Sequence, residues 1–269
     1  MKLIVLVKET IDLNSIDVAE DEYLPKEFER DEIILNPNDK HAIEMALTLK
    51  EELGGDPTVK VICLGSEHAV KILREAIAMG CDEAAHVNAE ELEFLTSYAK
   101  AKVLAEAVRK EQADLVFTGM YSEDFGQAQI PAILAAEFGW PQVTYANTLE
   151  VADDSVTSER YVEGGSIKVK VPRPCVVSTA STANEPRYTS VKRILKAKKT
   201  TIPVVELDDL GLDGESLVGT GGLELVEVVE PEVEETECFK VEEDDLEEGV
   251  DKLLAKLKED GIDLSSFRE

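Results

Sequence analysis

Strand-like and helix-like segments alternate through the first 145 residues, and this alternation constrains the fold more than any other feature. Short, continuous apolar runs are typical of strands that are covered on both faces of a parallel sheet. Such runs occupy residues 2–7, 59–64, 84–88 and 114–118. Between them lie apolar stripes with helical spacing, as at Ala42, Met45, Ala46 and Leu49. The order of strand, helix and strand predicts a doubly wound, mostly parallel α/β sheet with right-handed crossovers.

The pattern changes after Trp140 to strand-like segments that follow one another directly. They lie at residues 142–146, 149–152, 156–162 and 166–171, and a further apolar run follows at residues 175–179. Asp-Asp-Ser and Gly-Gly separate the later segments and are typical of tight turns. We therefore predict an antiparallel extension of the sheet, followed by one buried strand.

The last quarter of the chain has a different composition and periodicity. Residues 207–241 are rich in Gly, Glu and Val without helical spacing, whereas residues 241–258 predict an amphipathic helix with acids first and lysines last. We predict an α/β domain over residues 1–206, and an extended arm with a terminal helix over residues 207–269. An arm of roughly 30 residues without regular structure suits a segment that wraps around another protein.

The charge is strongly negative and unevenly distributed. The chain has 57 Asp and Glu against 28 Lys and Arg, a net charge of −29, and residues 201–269 alone hold 23 acidic and 5 basic side chains. Such a field argues against binding to nucleic acid or to an anionic membrane. The exception is a run over residues 187–199 with six bases and no acid. We expect it to contact a partner of opposite charge, the alternative being a solvated helix face.

Cysteine usage and hydropathy indicate a reduced, cytoplasmic protein. The four cysteines form no Cys-x-x-Cys pair, which argues against an iron–sulfur cluster or a disulfide framework. No apolar run approaches the roughly 18 residues of a membrane-spanning helix, so direct membrane insertion is not expected. None of His41, His68 and His86 has an obvious nucleophile partner, and no ligand spacing suggests a metal, so we predict neither a catalytic set nor a metal site.

Three loops follow predicted parallel strands and should meet at the ligand-binding edge of the sheet. They lie at residues 7–12, 64–66 and 118–129. Gly65, Gly119 and Gly126 allow the backbone to approach a ligand closely. A helix beginning near Gln127 offers free N–H groups to a phosphate, and Asp124 can accept from a ribose hydroxyl or an adenine amine. A nucleotide pocket and ordinary strand–helix turns both satisfy this pattern, because the chain has no GxGxxG or P-loop motif.

Four motifs occur in a recognisable order. They are Asn36-Pro37 followed by Ala42, Glu44, Ala46 and Leu49; Arg-Glu-Ala-Ile-Ala-Met-Gly-Cys-Asp at residues 74–82; Gly-Trp-Pro-Gln at residues 139–142; and Asn-Glu-Pro-Arg-Tyr at residues 184–188, before a Lys-Ala-Lys-Lys run that ends at Lys199. Together they resemble the electron transfer flavoprotein β-subunit family, and the resemblance extends from about residue 2 to residue 260.

The resemblance implies a fold, cofactors and partners. Members have an adenine-nucleotide hydrolase-like, Rossmann-like fold and pair with an α subunit, which holds most of the redox FAD and is wrapped by the C-terminal arm of the β subunit. The heterodimer carries electrons from dehydrogenases, such as acyl-CoA dehydrogenases, to a quinone reductase or another acceptor. The β subunit binds AMP, or a second FAD in members that bifurcate electrons and oxidise NADH. No catalytic set is then needed in this chain, since the flavin carries the redox chemistry.

The resemblance also implies nucleotide-binding positions, all in loops at the predicted edge of the sheet. They are Leu6, Val7, Lys8, Asn36, Asp39, Cys63, Leu64, Gly65, Gly119, Asp124, Gly126, Gln127, Ala128 and Gln129. Of these, Asp124, Gly126 and Gln127 take the phosphate and ribose roles. The loop contains Ser-Glu-Asp-Phe-Gly-Gln-Ala-Gln where the family has an I-D-x-D-x-x-Q-T-G type, so AMP and a second FAD both stay open.

Partner recognition, by the same resemblance, lies in residues 183–199, which we call the recognition segment. Its partner-binding positions are Asn184, Glu185, Pro186, Arg187, Tyr188, Val191, Lys192, Arg193, Lys196, Lys198 and Lys199. Val191 corresponds to a protruding aliphatic residue that docks in an apolar patch of the dehydrogenase, while the bases steer encounter with an acidic surface. A stand-alone adenine-nucleotide sensor of the same fold is the remaining alternative.

Overall fold

A computed structural model of the chain describes residues 1–12, 33–88, 96–217, 226, 238–241 and 245–262. The chain divides into two compact units, residues 1–226 and residues 227–269, and each is described by itself. The described strands are β1 (Lys2–Val7), β2 (Glu9–Ile11), β3 (Ile33–Leu35), β4 (Thr58–Gly65), β5 (Glu83–Asn88), β6 (Leu115–Gly119), β7 (Gln142–Ala146), β8 (Glu150–Val151), β9 (Ser155–Val162), β10 (Gly165–Pro172), β11 (Cys175–Thr179) and β12 (Val204–Val205). The described helices are α1 (Pro37–Glu52), α2 (Ala69–Met79), α3 (Ser97–Glu111), α4 (Ile130–Phe138), α5 (Val191–Lys199), α6 (Gly214–Leu217) and α7 (Leu246–Glu259).

The main sheet confirms the predicted α/β class. Within the described residues, its strand order is β10-β9-β7-β11-β6-β1-β4-β5-β12, with β8 attached to β9. Strands β1, β4, β5, β6, β7, β11 and β12 pair with one another in parallel, and β9 pairs antiparallel with β7, β8 and β10. A separate antiparallel pair, β2 and β3, was not predicted from the sequence.

Strand β7 differs from its predicted place in an antiparallel extension. It runs parallel to β11, with Val143 opposite Val177, and meets β9 only at Ala146 opposite Arg160. The alternating pattern did not reveal this, because alternation reflects the burial of side chains and not the direction of the neighbouring strand. The antiparallel extension therefore consists of β8, β9 and β10, and β7 joins it to the parallel part.

Both faces of the sheet are covered, as continuous apolar strands require. Leu3 and Val5 of β1 pack into an apolar cluster with α1 and α2, whereas Ile4 and Leu6 pack on the other side with α3 and α4. Local signals set the ends of these helices. Pro37 opens α1 behind the N-cap Asn36, and Gly139 ends α4 with a left-handed φ of 65°.

The first unit extends past the predicted boundary at residue 206. Leu210 lies in a 3-10 turn (Asp208–Leu210) and Leu217 in α6, and both are buried in the cluster that contains α3. Most of the predicted arm over residues 207–241 lies outside the described residues. The predicted terminal helix is confirmed as α7, where the Asp245 carboxylate caps the N–H of Glu247 at 2.8 Å. Among the described helices, none is long and apolar enough to cross a membrane.

Candidate functional site

The chain reverses its direction of winding between β1 and β6. From β1 it adds β4 and β5 on one side, and it then returns to add β6 on the other side of β1. In open parallel sheets, ligands bind at such a switch point, beyond the carboxyl ends of the two strands. Lys8 follows β1, and the loop of residues 120–129 follows β6. The first turn of α1 contributes Asn36 and Asp39 to the same edge.

Asp39 ties the two central strands together. Its carboxylate accepts hydrogen bonds from the N–H of Lys8 at 2.8 Å and from the N–H of Gly119 at 3.0 Å. Gly119 is required here, since a Cβ atom would lie 2.8 Å from the carbonyl carbon of Asn38. Burial raises the pKa of Asp39 to about 7, against the opposing effect of the two backbone N–H donors. Asp39 therefore titrates near neutrality and holds the backbone of the site, rather than facing a ligand.

Lys8 provides the positive charge of the site. Its ammonium donates to both oxygens of Asp124, at 2.6 and 2.5 Å, and to Ser122 Oγ at 3.4 Å. It also lies 4.5 Å from the centre of the Phe125 ring, which is 67% exposed. Burial acts to raise the pKa of Asp124, but the hydrogen bonds from Lys8 and Ser122 outweigh it and leave the pKa below its usual value of 3.8. The Asp124 carboxylate is thus ionised at neutral pH.

A second ammonium group lies on the same aromatic ring. Lys100 Nζ of α3 is 5.6 Å from the centre of the Phe125 ring. Burial, and then repulsion from Lys8, lower the pKa of Lys100. Asp124 and Glu9 act in the opposite direction and raise it. Two ammonium groups beside one ring favour an anion between them. Lys100 was not among the predicted site residues, because a lysine beside the apolar stripe of a predicted helix gives no signal of function.

Asn36 fixes the loop after β6 to the start of α1. Its side-chain amide donates to the Tyr121 carbonyl at 3.0 Å, and its side-chain oxygen accepts from the N–H of Glu123 at 3.3 Å. The Asn36 N–H in turn donates to the carbonyl of Lys8 at 3.0 Å. Asn36 is 1% exposed, so it shapes the pocket through its contacts with the backbone.

The predicted loop at residues 64–66 is occupied by Glu9, a residue that the sequence did not single out. Glu9 accepts from the N–H of Ser66 at 2.7 Å and from Ser66 Oγ at 3.1 Å. A Cβ atom on Gly65 would lie 2.6 Å from the Glu9 carboxylate, so Gly65 is needed for this approach. His86, 4% exposed, contacts the Gly65 carbonyl through Nε2 at 3.0 Å. The close approach predicted for Gly65 thus involves the protein itself.

The last predicted loop ends in an unusual backbone. Gly126 and Ala128 have φ values of 61° and 53°, and α4 begins only at Ile130, three residues later than predicted. The left-handed Ala128 stands before the right-handed Gln129, an arrangement that can turn successive N–H groups towards one concavity. Gln127 accepts a hydrogen bond from Ser97 of α3. The strained geometry at Ala128 explains why the helix does not start at Gln127.

The remaining predicted pocket residues can contribute only their backbone. Leu6, Val7 and Cys63 are at most 5% exposed, and Leu64 packs against the α3 cluster. Burial raises the pKa of the Cys63 thiol, which is therefore neutral. Within the described ranges, no group of three acidic, His or Cys side chains is arranged to hold a metal ion.

The recognition segment contains residues that bind the rest of the protein and residues that are exposed. Asn184 and Arg187 bind α1, and Arg193 donates to the Met79 carbonyl at 3.0 Å. Most of the other predicted positions project from the protein. Those that are exposed are Glu185, Tyr188, Val191, Lys192, Lys196, Lys198 and Lys199, while Pro186 is half-buried.

The exposed part carries an apolar strip as well as lysines. Tyr188 is 99% exposed, Val191 is 74% exposed and Leu195, one turn further along α5, is 56% exposed. Ala197 is the buried residue of α5, which packs beside α2. Leu195 was missed because the sequence pattern did not show which face of α5 is covered.

Comparisons with known proteins agree with the motifs. The Electron transfer flavoprotein domain matches residues 28–210. Electron transfer flavoprotein subunit beta of Bacillus subtilis (strain 168) is 38% identical over 216 residues, which cover 80% of this chain and 82% of that protein. The Bos taurus subunit beta is 34% identical over 229 residues, covering 84% and 85%, and that of Megasphaera elsdenii is 30% identical over 233 residues, covering 83% and 86%. The resemblance in the motifs is confirmed: the chain belongs to the electron transfer flavoprotein beta-subunit family, whose work is electron transfer.

Proposed function

We propose that this chain is the β subunit of a heterodimeric electron transfer flavoprotein, and that its sheet-edge pocket binds AMP. An α subunit holds most of the redox FAD. The heterodimer carries electrons in the cytoplasm from dehydrogenases, such as acyl-CoA dehydrogenases, to a quinone reductase or another acceptor. The observation that carries the pocket assignment is the Lys8 ammonium at the switch point, beside the exposed ring of Phe125.

Positive charge and backbone geometry support a phosphate in this pocket. Lys8 and Lys100 both lie within 5.6 Å of the Phe125 ring centre. The left-handed Ala128 lies immediately before the N-terminus of α4, whose dipole favours an anion. We assign the AMP phosphate to Lys8, Lys100 and the N–H groups of residues 127–129, since the Gly126 N–H already donates to the Ser122 carbonyl at 2.8 Å.

Aromatic and acidic side chains support the nucleoside part of AMP. The exposed Phe125 ring offers a stacking surface to adenine. Asp124, whose pKa is lowered by its hydrogen bonds despite burial, is an ionised acceptor for the ribose hydroxyls. The lysine ammonium is a compact charge on a flexible side chain. Lys8 can therefore turn from the Asp124 carboxylate to a phosphate without a change in the fold.

The electron-transfer role rests on docking rather than on acid–base chemistry in this chain. FAD supplies the redox chemistry when it is bound. The chain's own contribution is to present Tyr188, Val191 and the surrounding lysines to the dehydrogenase. An aliphatic anchor supplies specificity, and the lysines raise the rate of encounter with an acidic surface.

The stoichiometry of flavin and nucleotide tests the pocket assignment. The heterodimer, purified after co-expression with an α subunit, is expected to release one FAD and one AMP when it is denatured. Two FAD, no AMP and reduction by NADH would overturn the assignment. That result would favour the electron-bifurcating alternative, in which this pocket binds a second FAD.

Expression of the chain alone tests the remaining alternative, a stand-alone nucleotide sensor. Helix α7 leaves Leu246, Val250, Leu253 and Leu254 between 38% and 85% exposed within its own unit, so we expect the isolated chain to aggregate and the α subunit to rescue it. A monodisperse monomer that binds AMP would favour the sensor.

A further inference from the structure

We propose that Asn184 and Arg187 clamp the recognition segment to α1, and that the buried Glu44 is the positioning residue for partner docking. This inference rests on the proposed function, because it assumes that residues 188–199 dock on a dehydrogenase. It differs from the sequence-based assignment, in which Asn184 and Arg187 contact the partner directly. Both side chains are instead used inside the protein.

Arg187 makes the stronger half of the clamp. Its Nε donates to Glu44 Oε2 at 2.8 Å and its Nη2 donates to Glu44 Oε1 at 2.9 Å, a side-on pair that satisfies both carboxylate oxygens. The backbone N–H of Arg187 donates to Glu44 Oε2 at 3.0 Å as well. Planar, bidentate pairs of this kind fix direction as well as distance. Burial acts to raise the pKa of Glu44, but these hydrogen bonds lower it overall, so Glu44 remains charged.

Glu51 makes a weaker, outer contact with the same guanidinium. Its oxygens accept from Nη1 at 2.6 Å and from Nη2 at 3.3 Å. The Glu51 side chain is 63% exposed, whereas the Glu44 side chain is 11% exposed. Water screens exposed ion pairs strongly, so the pair with Glu44 contributes more than the pair with Glu51 to fixing the position of Arg187.

Asn184 makes the second half of the clamp, with His41. The Asn184 amide donates to the His41 carbonyl at 3.0 Å. His41 Nδ1 lies 3.0 Å from the Asn184 carbonyl and 3.1 Å from its side-chain oxygen. Both neighbours are acceptors, so Nδ1 must carry the proton and donate. The contact is therefore reciprocal, and each residue donates to the other.

The spacing of the two halves matches one face of α1. His41, Glu44 and Glu51 are separated by three and seven residues and so lie along one side of the helix. Asn184 and Arg187 are also three residues apart, so two successive points of the segment meet two successive turns of α1. Immediately after the clamp, Tyr188 and Val191 stand 99% and 74% exposed. A segment fixed at its base loses less conformational entropy when its tip docks.

Steady-state kinetics with the heterodimer separate this role from plain folding. The donor is an acyl-CoA dehydrogenase reduced by its own substrate. We expect Glu44→Gln and Arg187→Lys each to raise the apparent KM for the heterodimer about 10-fold, equivalent to about 1.4 kcal/mol, with kcat and flavin content within 2-fold of the original. Hydrogen exchange of the amides in residues 184–190 should quicken in the same variants. Arg187→Lys keeps the positive charge and removes only the bidentate guanidinium contact. It is therefore less disruptive to folding than a substitution that removes the charge.

Matched variants on the same helix complete the test. Glu51→Gln should raise KM less than 3-fold, and Glu52→Gln, on an exposed neighbour without a contact to Arg187, should leave it unchanged. Val191→Glu tests the docking itself and should raise KM at unchanged flavin content. An unchanged KM and unchanged exchange in Glu44→Gln, together with a raised KM in Val191→Glu, would overturn the clamp and leave the docking assignment standing. An unchanged KM in Val191→Glu would instead refute the docking assignment, and the clamp with it.

Discussion

The ion pair in the pocket and the ion pair on α1 join segments far apart in sequence, but they suit different tasks. Lys8 and Asp124 are 116 residues apart, and Arg187 and Glu44 are 143 residues apart. Their burial is similar, with side chains 30% and 15% exposed in the first pair and 22% and 11% in the second. The difference lies in the cation, since lysine is a compact, rotatable charge and arginine is a rigid fork.

The surroundings of the two pairs strengthen this difference. Lys8 lies at the open edge of the sheet, beside Lys100 and an exposed ring, where a phosphate can replace or join its carboxylate partner. Arg187 lies along the side of α1 and donates hydrogen bonds to two carboxylates of that helix. We infer that a cation in this fold is available to a ligand when its present partner can be exchanged, and is structural when all its donors are already used.

The largest expected effect comes from removing the exchangeable cation. We expect Lys8→Met to weaken AMP binding roughly 30- to 100-fold, since a charged hydrogen bond to phosphate contributes about 2 to 3 kcal/mol. Titration calorimetry on the AMP-depleted heterodimer measures this, and Lys110→Met, at an exposed position of α3, is the matched control. An affinity equal to that of the control would remove Lys8 from the site.

The next effect concerns the carboxylate that supports the pocket. Because burial raises the Asp39 pKa from 3.8 to about 7, the folded protein prefers the neutral form, and stability falls as pH rises between these values. From pH 5 to pH 7, Asp39 should reduce the free energy of unfolding by about 2 kcal/mol. We therefore compare the melting temperature of the Asp39→Asn heterodimer with that of the original at each pH. The difference, variant minus original, should rise by roughly 4 to 8 °C from pH 5 to pH 7.

The pH range and a control make this prediction specific. Asp56→Asn, at an exposed position after α1, should show no such relative change. The constant cost of losing one acceptor in Asp39→Asn does not matter, because only the pH-dependent part is compared. A difference between variant and original that stays constant from pH 5 to pH 7 would contradict the titration of Asp39 near neutrality.

A smaller effect should follow from making the first pair resemble the second. In Lys8→Arg the positive charge is kept, but the guanidinium can bind both oxygens of Asp124 at once. Such a bidentate pair exchanges its carboxylate for a phosphate less readily. We expect AMP affinity to fall about 10-fold, or about 1.4 kcal/mol, at unchanged flavin content. Equal or better affinity would mean that the exchange of partners at Lys8 is not the property that distinguishes the two pairs.

The smallest effect concerns the backbone beside the pocket. Ala128 has a φ of 53°, which costs a residue with a Cβ atom about 1 kcal/mol and costs glycine almost nothing. Ala128→Gly should therefore raise the melting temperature of the heterodimer by up to roughly 3 °C. Ala132→Gly, in the ordinary helical geometry of α4, should lower it instead. A lowered melting temperature in both variants would show that Ala128 is not strained.

The sequence predicted those parts of the fold that depend on local periodicity. The strands β1 and β11 were placed with their true ends, and Asn36, Pro37 and Gly139 marked real helix ends. Strand β12 and the pairing of β7 with β11 were not predicted, because a two-residue strand has no period and alternation does not reveal the partner strand.

The same division applies to the candidate site. Lys8, Asn36, Asp39, Gly119 and Asp124 were predicted from the family resemblance, and the tertiary structure places them at one edge of the sheet. Motifs could not show that Glu9 fills the space beside Gly65, or that Lys100 shares the Phe125 ring. Neither residue lies in a distinctive pattern, and both contacts depend on distances across the fold.

By itself, the sequence determined the order of the elements, the family and the excess of negative charge, because these follow from local patterns and composition. Only the tertiary structure decided which bases are available. Among the six bases of residues 187–199, Arg187 binds Glu44 and the exposed Arg193 donates to the Met79 carbonyl, while the four lysines are exposed. The physical reason is that the donors of a base are occupied by the acceptors that folding brings within hydrogen-bond distance. For Arg187 and Arg193, those acceptors lie more than 100 residues away in the chain.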